Sequence, residues 1–76
     1  MKISLHAMRI MAGYTVEEAA EHCGISAGEY MAYEEDSREI PLHAARKIRK
    51  LYGIPLDLLF AGTEKDYIAI MRKQAG

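Results

Sequence analysis

Apolar residues recur at intervals of three or four through most of the chain, the spacing that places them on one face of an α-helix. A first helix is predicted over residues 5–12, where Leu5, Met8 and Ala12 share a face. The serine before it is the predicted N-cap, and Gly13 is the stop signal. The pattern therefore begins with one short amphipathic helix.

Two more short helices follow, joined by a tight turn at Gly24. Thr15 and Glu18 form a T-x-x-E capping box, which predicts a helix over residues 16–23. Its glutamates face outward, and its inward residues are Ala19, Ala20 and Cys23. Gly24 can adopt the left-handed conformation that ends such a helix.

A second capping box, formed by Ser26 and Glu29, predicts another helix over residues 27–34. Tyr30 and Tyr33 are one turn apart, so both can point into the core. Two helices joined by a short turn with glycine form a helix-turn-helix unit, and in its DNA-binding versions the second helix enters the major groove.

A fourth helix is predicted over residues 41–52, after a polar loop, because Pro41 suits a first helical turn and Gly53 ends the run. Its apolar stripe is expected to contain Leu42, Ala45, Ile48 and Leu51 or Tyr52. Its opposite face carries four cations, Arg46, Lys47, Arg49 and Lys50.

The end of the chain is less regular. A short fifth helix is predicted over residues 56–60, so that residues 1–62 form the helix-turn-helix domain and residues 63–76 a tail. Thr63 can cap a sixth helix in that tail, with acidic residues in its first turn and basic residues in its last. The run YIAIM within the tail also suits a strand, but we favour the helix.

The chain has 76 residues, enough for one domain with a small core. A single cysteine excludes an internal disulfide and a cysteine zinc site. No apolar run reaches the length of a membrane span and no signal peptide is visible, so a cytoplasmic protein is expected. Neither a metal site, a cofactor nor an enzyme is predicted, because no ligand spacing or catalytic constellation joins His6, His22, His43 and Cys23.

Charge is strongly segregated along the chain, although the net charge is only −1. Residues 14–37 contain seven acidic residues and no Lys or Arg, whereas the remainder holds all ten basic residues. Small DNA-binding domains are more often basic, with a pI above about 9. Here the pI is about 6.3, and the acidic segment is the one that contains the helix-turn-helix unit.

The helix order and several motifs resemble the Cro/C1-type, or xenobiotic-response-element, family of helix-turn-helix repressors. The resemblance covers roughly residues 5–60 and rests on five groups of positions: Leu5, Arg9, Gly13 and Thr15; Glu17, Glu18, Ala20, Gly24, Ile25 and Ser26; Tyr33 and Glu34; Arg38 to Pro41; and Leu51 to Asp57. It implies an all-α, compact five-helix, lambda-repressor-like domain with a short helical or extended C-terminal tail. It also implies an ion pair between Arg9 and Glu34.

The resemblance further implies which positions would face DNA, at the start of the second helix, along the third helix and in the loop after it. These positions are Val16, Ser26, Ala27, Gly28, Glu29, Met31, Ala32, Ser37 and Arg38. The family usually has polar residues where this chain has Ala27, Gly28 and Ala32, and alanine and glycine offer no hydrogen bond to a base edge. The following Glu35 and Asp36 add negative charge where phosphates would lie.

Three features have two interpretations each. Glu29 either completes its capping box through the Ser26 N–H or accepts from cytosine N4. Met31 is either a soft contact with a partner or an adaptable rim residue. The basic run over residues 46–50 is either a solvated helix face or a contact with phosphates or an acidic protein.

The leading hypothesis is a transcriptional regulator of bacterial or phage type that binds double-stranded DNA. A homodimer is expected because one recognition helix reads only a half-site. Its interface is expected to involve Leu58, Leu59, Phe60, Tyr67, Ile70 and Met71. The alternative is a module whose acidic face, residues 14–37, binds a protein partner.

Overall fold

A computed structural model of the chain describes residues 2–75. It contains five α-helices: α1 (Leu5–Ala12), α2 (Val16–Cys23), α3 (Ala27–Glu35), α4 (Leu42–Tyr52) and α5 (Glu64–Ala75). Two single 3-10 turns, Ser37–Glu39 and Leu56–Leu58, lie between them. The all-α fold class predicted from the sequence is confirmed.

The helices α1 and α2 begin and end at the residues that their caps predict. The Ser4 hydroxyl accepts from the Ala7 N–H at 3.0 Å, and both halves of the Thr15 capping box are formed. Gly13 and Gly24 adopt left-handed conformations, with φ of 78° and 68°. These local signals fix the chain reversals that bring α1 and α2 against α3.

The prediction of the buried apolar face is wrong for one terminal residue of α1 and one of α4. Ala12 is exposed, because α1 ends there and its last turn leaves the core. Helix α4 begins at Leu42 rather than Pro41, and the Leu42 side chain is 62 % exposed. Ala44 takes the inward position instead and is fully buried.

The predicted helix over residues 56–60 is also wrong. A single 3-10 turn, closed by the Leu58 N–H on the Pro55 carbonyl, leads into an extended segment. Ile3 pairs with that segment in parallel, donating to Leu58 O at 2.7 Å and accepting from the Phe60 N–H at 2.8 Å. A helix of five residues gains about one internal hydrogen bond, whereas this pairing supplies two.

The tail is helical rather than extended. The Thr63 hydroxyl accepts from the Asp66 N–H at 3.1 Å, and α5 follows from Glu64 to Ala75. The Phe60 and Tyr67 rings, with centroids 5.3 Å apart, join α5 to the rest of the molecule. No helix within residues 2–75 is long and apolar enough to cross a membrane.

The core lies where α1, α2, α3 and α4 meet. Tyr30 is its largest fully buried side chain, packed with Leu5, Cys23 and Ile48. Its hydroxyl lies 2.5 Å from the hydroxyl of Tyr52, so the buried polar group is satisfied. The inner face of α3 is therefore packed against the core, and the outer face of α3 is exposed.

Candidate nucleic-acid interface

Helices α2 and α3 form a helix-turn-helix unit whose turn is closed by backbone hydrogen bonds. The Gly24 N–H donates to Glu21 O and the Ile25 N–H donates to Ala20 O, both at 3.1 Å. Ile25 also packs against the core. The angle between the two helices is thus set by backbone geometry and core packing together.

The C-terminal end of α3 is held by the ion pair that the family resemblance implies. Arg9 Nε lies 2.5 Å from Glu34 Oε2, and Arg9 Nη1 donates to Tyr14 O at 3.0 Å. The two charged side chains are only 12 % and 11 % exposed. The hydrogen bond to Glu34 raises the pKa of Arg9. One side chain therefore ties α1 both to α3 and to the start of the helix-turn-helix unit.

His6 also joins this pair, which the sequence analysis missed. Its Nδ1 lies 3.1 Å from Glu34 Oε1 and 3.2 Å from Arg9 Nη2. The sequence feature that could have predicted this contact is the spacing of His6 and Arg9, which lie three residues apart on one helix. Within residues 2–75 no three His, Cys, Asp or Glu side chains come together as a metal site would require.

The outer face of α3 presents Gly28, Met31 and Ala32, all exposed. Met31 is 58 % exposed. A Cβ added at Gly28 would meet only Ser26 Oγ, at 3.9 Å, so packing does not require glycine there. The small residues leave a surface that another molecule can approach closely.

Two of the positions expected at DNA also support the core. Val16 and Ala27 are half-buried and pack against the core cluster. Each begins a helix of the helix-turn-helix unit. Their side chains stabilise the packing of the unit, so only their exposed atoms are available to contact a ligand.

The second capping box differs from the expected one. The Ser26 hydroxyl accepts from the Glu29 N–H at 3.1 Å, as predicted. However, Glu29 Oε1 accepts from the Ser26 hydroxyl at 3.2 Å rather than from the Ser26 N–H. The hydroxyl can do both because its lone pair takes the amide hydrogen while its own hydrogen points to the carboxylate. Both side chains are exposed.

The loop after α3 uses its polar side chains internally. The Ser37 hydroxyl donates to the Phe60 carbonyl and accepts from the Gly62 N–H at 3.0 Å, so it is not available to a phosphate. Arg38 folds back on Asp36, with Nε–Oδ1 and Nη2–Oδ2 distances of 2.9 and 2.8 Å. The Arg38 hydrogen bonds hold the pKa of Asp36 below its usual value.

The exposed Arg38–Asp36 pair has a consequence for the charge of this surface. Arg38 is 61 % exposed, and exposed pairs of this kind contribute little to stability. Because the Arg38 guanidinium is already paired with a carboxylate, it adds no net positive charge beside α3. No sequence signal predicted the pair, because its geometry depends on the 3-10 turn at Ser37–Glu39.

The predicted dimer residues fall into two groups. Phe60, Tyr67, Ile70 and Met71 line one apolar groove of about 210 Å³, together with Lys2 and Gln74. Leu59 instead packs against the core beside its backbone pairing with Ile3. Leu58 is 37 % exposed and lies outside the groove.

Comparison with curated proteins finds no match. A family model described as a helix-turn-helix domain matches residues 3–65, which is most of the chain. The matched region contains the two-helix unit, its supporting helices α1 and α4, and the start of α5. The chain therefore belongs to this family of helix-turn-helix domains.

Proposed function

We propose that the protein is a DNA-binding transcriptional regulator of the repressor-like Cro/C1 type, which places α3 in the major groove. The observation that carries this proposal is the intact helix-turn-helix unit with the outer face of α3 uncovered at Gly28, Met31 and Ala32. Such a unit presents its second helix to base edges. A cytoplasmic location in a bacterial or phage setting is part of the proposal.

The chemistry of the α3 face favours contact by shape over hydrogen-bonded readout. Gly28 and Ala32 allow the helix to lie deep in the groove, and the Ala32 methyl suits a thymine methyl. Glu29, an exposed carboxylate in the first turn of α3, can accept from cytosine N4. Specificity is therefore expected to be modest and biased towards thymine-containing sites.

A homodimer is part of the same proposal, because one α3 reads only a half-site. The apolar groove along α5 is the proposed interface. Helix α5 is acidic in its first turn, at Glu64 and Asp66, and basic in its last, at Arg72 and Lys73. Two antiparallel copies of α5 would place opposite charges together while covering both grooves.

A second function is favoured by one observation, the seven acidic residues and absence of Lys and Arg over residues 14–37. Phosphates meet repulsion rather than attraction at such a surface. In this alternative the fold persists, but the α3 face binds a basic protein.

The two functions are separated by titrating the protein onto random-sequence duplex DNA at low and moderate salt. The DNA-binding proposal predicts weak binding at low salt that falls steeply as salt rises. Absence of binding even at low salt contradicts it and favours the protein-interaction module.

A charge placed on the α3 face sharpens this titration. Ala32→Glu should weaken DNA binding at least about tenfold, because a carboxylate in the groove meets phosphates and lacks a donor partner. Ala69→Glu is the matched control, since Ala69 is also an exposed alanine within a helix, α5. Equal affinity for the two variants would show that α3 does not contact the DNA.

A further inference from the structure

The outward face of α4 is a dense cluster of cations that the helix-turn-helix unit does not include. Arg46, Lys47, Arg49 and Lys50 are all exposed, opposite the buried Ala44 and Ile48. Within residues 2–75 none of the four forms an ion pair, whereas Arg9 and Arg38 both do. The helix contains no acidic residue. This face, called the α4 basic face below, therefore carries uncompensated charge.

The α4 basic face borders two shallow cavities that meet at Lys50. One, of about 440 Å³, is lined by Arg46, Arg49 and Lys50 with Gly53 and Pro55, and no carboxylate lines it. The other, of about 460 Å³, is lined by Lys47, Lys50 and Leu51 of α4 and by residues 21–24 at the C-terminal end of α2, including the Glu21 carboxylate. The Arg46–Arg49 cavity, which no carboxylate lines, is therefore the better site for an anionic group.

We infer that the α4 basic face binds the sugar–phosphate backbone of nucleic acid, as a contact surface separate from the outer face of α3. Guanidinium groups bind phosphate oxygens through paired hydrogen bonds, and lysines add point charges. Polyanion binding gains its free energy from counterion release, which needs clustered cations and no apolar anchor.

The lining of the Arg46–Arg49 cavity distinguishes this ligand from an acidic protein. Protein interfaces are held by large apolar or aromatic side chains seated in pockets. That cavity offers only cations, a glycine and a proline. The inference does not depend on α3 entering the major groove, so it can stand or fall separately from the proposed function.

The test measures the salt dependence of binding to random-sequence duplex DNA by fluorescence anisotropy. Each phosphate contact contributes about 0.9 to the slope of log affinity against log salt concentration. Arg46→Gln/Arg49→Gln should therefore lower the slope by about 1.8 and weaken binding at about 50 mM salt roughly tenfold or more. Lys47→Gln/Lys50→Gln should act similarly and uses different residues.

Matched controls keep the result interpretable. Lys65→Gln removes an exposed cation of α5 that does not line the apolar groove and should leave the slope nearly unchanged. Thermal melting checks that each variant folds. Lys47 Nζ lies near Gly24 at the end of α2, so the lysine variant is the one more exposed to loss of stability. If the lysine variant is destabilised, the arginine variant alone decides the test.

Three results would overturn the inference. The first is an unchanged slope in a folded Arg46→Gln/Arg49→Gln variant. The second is absence of wild-type binding to duplex DNA at low salt. The third is tighter binding of the wild type to polyglutamate than to DNA of equal charge concentration, which would assign the face to an acidic protein. If Ala32→Glu weakens DNA binding while the folded α4 variants leave both the affinity and the slope unchanged, the proposed function stands and this inference fails.

Discussion

Arg9 connects three parts of the molecule through one side chain. It bonds Glu34 at the end of α3 and the Tyr14 carbonyl before α2, while lying on α1 itself. Because both charges are largely buried, removing one leaves the other without a partner in a poorly solvated position. The orientation of the helix-turn-helix unit therefore depends on a residue outside it.

Arg9→Ala is expected to lower the free energy of unfolding by about 3 to 5 kcal/mol, as for other pairs with one partner removed. Urea denaturation of the two proteins measures the difference. Arg38→Ala is the control, because its pair with Asp36 is exposed and should matter little. An unchanged melting temperature in Arg9→Ala would contradict this account of how α3 is held.

Tyr30 gives a prediction at alkaline pH. Burial raises the pKa of Tyr30 above its ordinary value of 10.0. The unfolded chain then loses its phenol proton near pH 10 while the folded chain keeps it, so stability is lost as pH rises above about 10. Tyr30→Phe should be less stable at neutral pH, since Tyr52 loses its partner, but its stability should fall less steeply above pH 10. Parallel pH profiles for the two proteins would contradict this.

Among the elements, those with local signals could be predicted from the sequence and those fixed by distant contacts could not. The Thr15 capping box and the left-handed Gly24 each depend on a few adjacent residues, so α2 has its predicted bounds. The segment after Pro55 has no cap, and its conformation is decided by Ile3, more than fifty positions earlier. Chain order alone does not show that pairing.

The same distinction applies within the candidate site. The backbone of the helix-turn-helix unit followed from glycine and capping residues, and the Arg9–Glu34 pair from the family resemblance. The hydrogen bonds of Ser37 with residues 60–62 and the pair of Arg38 with Asp36 could not be predicted from the sequence. The first depends on where the loop after α3 meets residues 60–62, and the second on how that loop turns back on itself.

Helix α5 carries the prediction about assembly. Ile70 is 43 % exposed and lines the apolar groove, whereas Ile68 is 41 % exposed on the same helix outside it. If two α5 helices pair through the groove, Ile70→Asp should convert a dimer to a monomer in sedimentation equilibrium at micromolar concentration. Ile68→Asp should leave the dimer intact. Wild-type protein that sediments as a monomer at high micromolar concentration would contradict the dimer.

At the scale of the whole molecule, charge is unevenly distributed. Residues 14–37 carry seven acidic residues and no Lys or Arg, whereas α4 carries four exposed cations that form no ion pair within residues 2–75. A long-range electrostatic attraction to DNA would therefore act mainly at α4 and could orient the molecule before α3 makes contact. The segregation was visible in the sequence, but the absence of ion pairs on α4 was not, since it depends on which carboxylates reach that helix.

The most direct measurement of the central claim is to map the DNA contact residue by residue. Backbone amide resonances of the isotopically labelled protein would be followed by NMR while duplex DNA is added at low salt. The account predicts that the largest shifts occur over residues 26–32, with the Gly28 amide among them, and that a second set occurs on α4. Unchanged resonances over residues 26–32 in the presence of bound DNA would contradict the claim that α3 is the DNA-contacting helix.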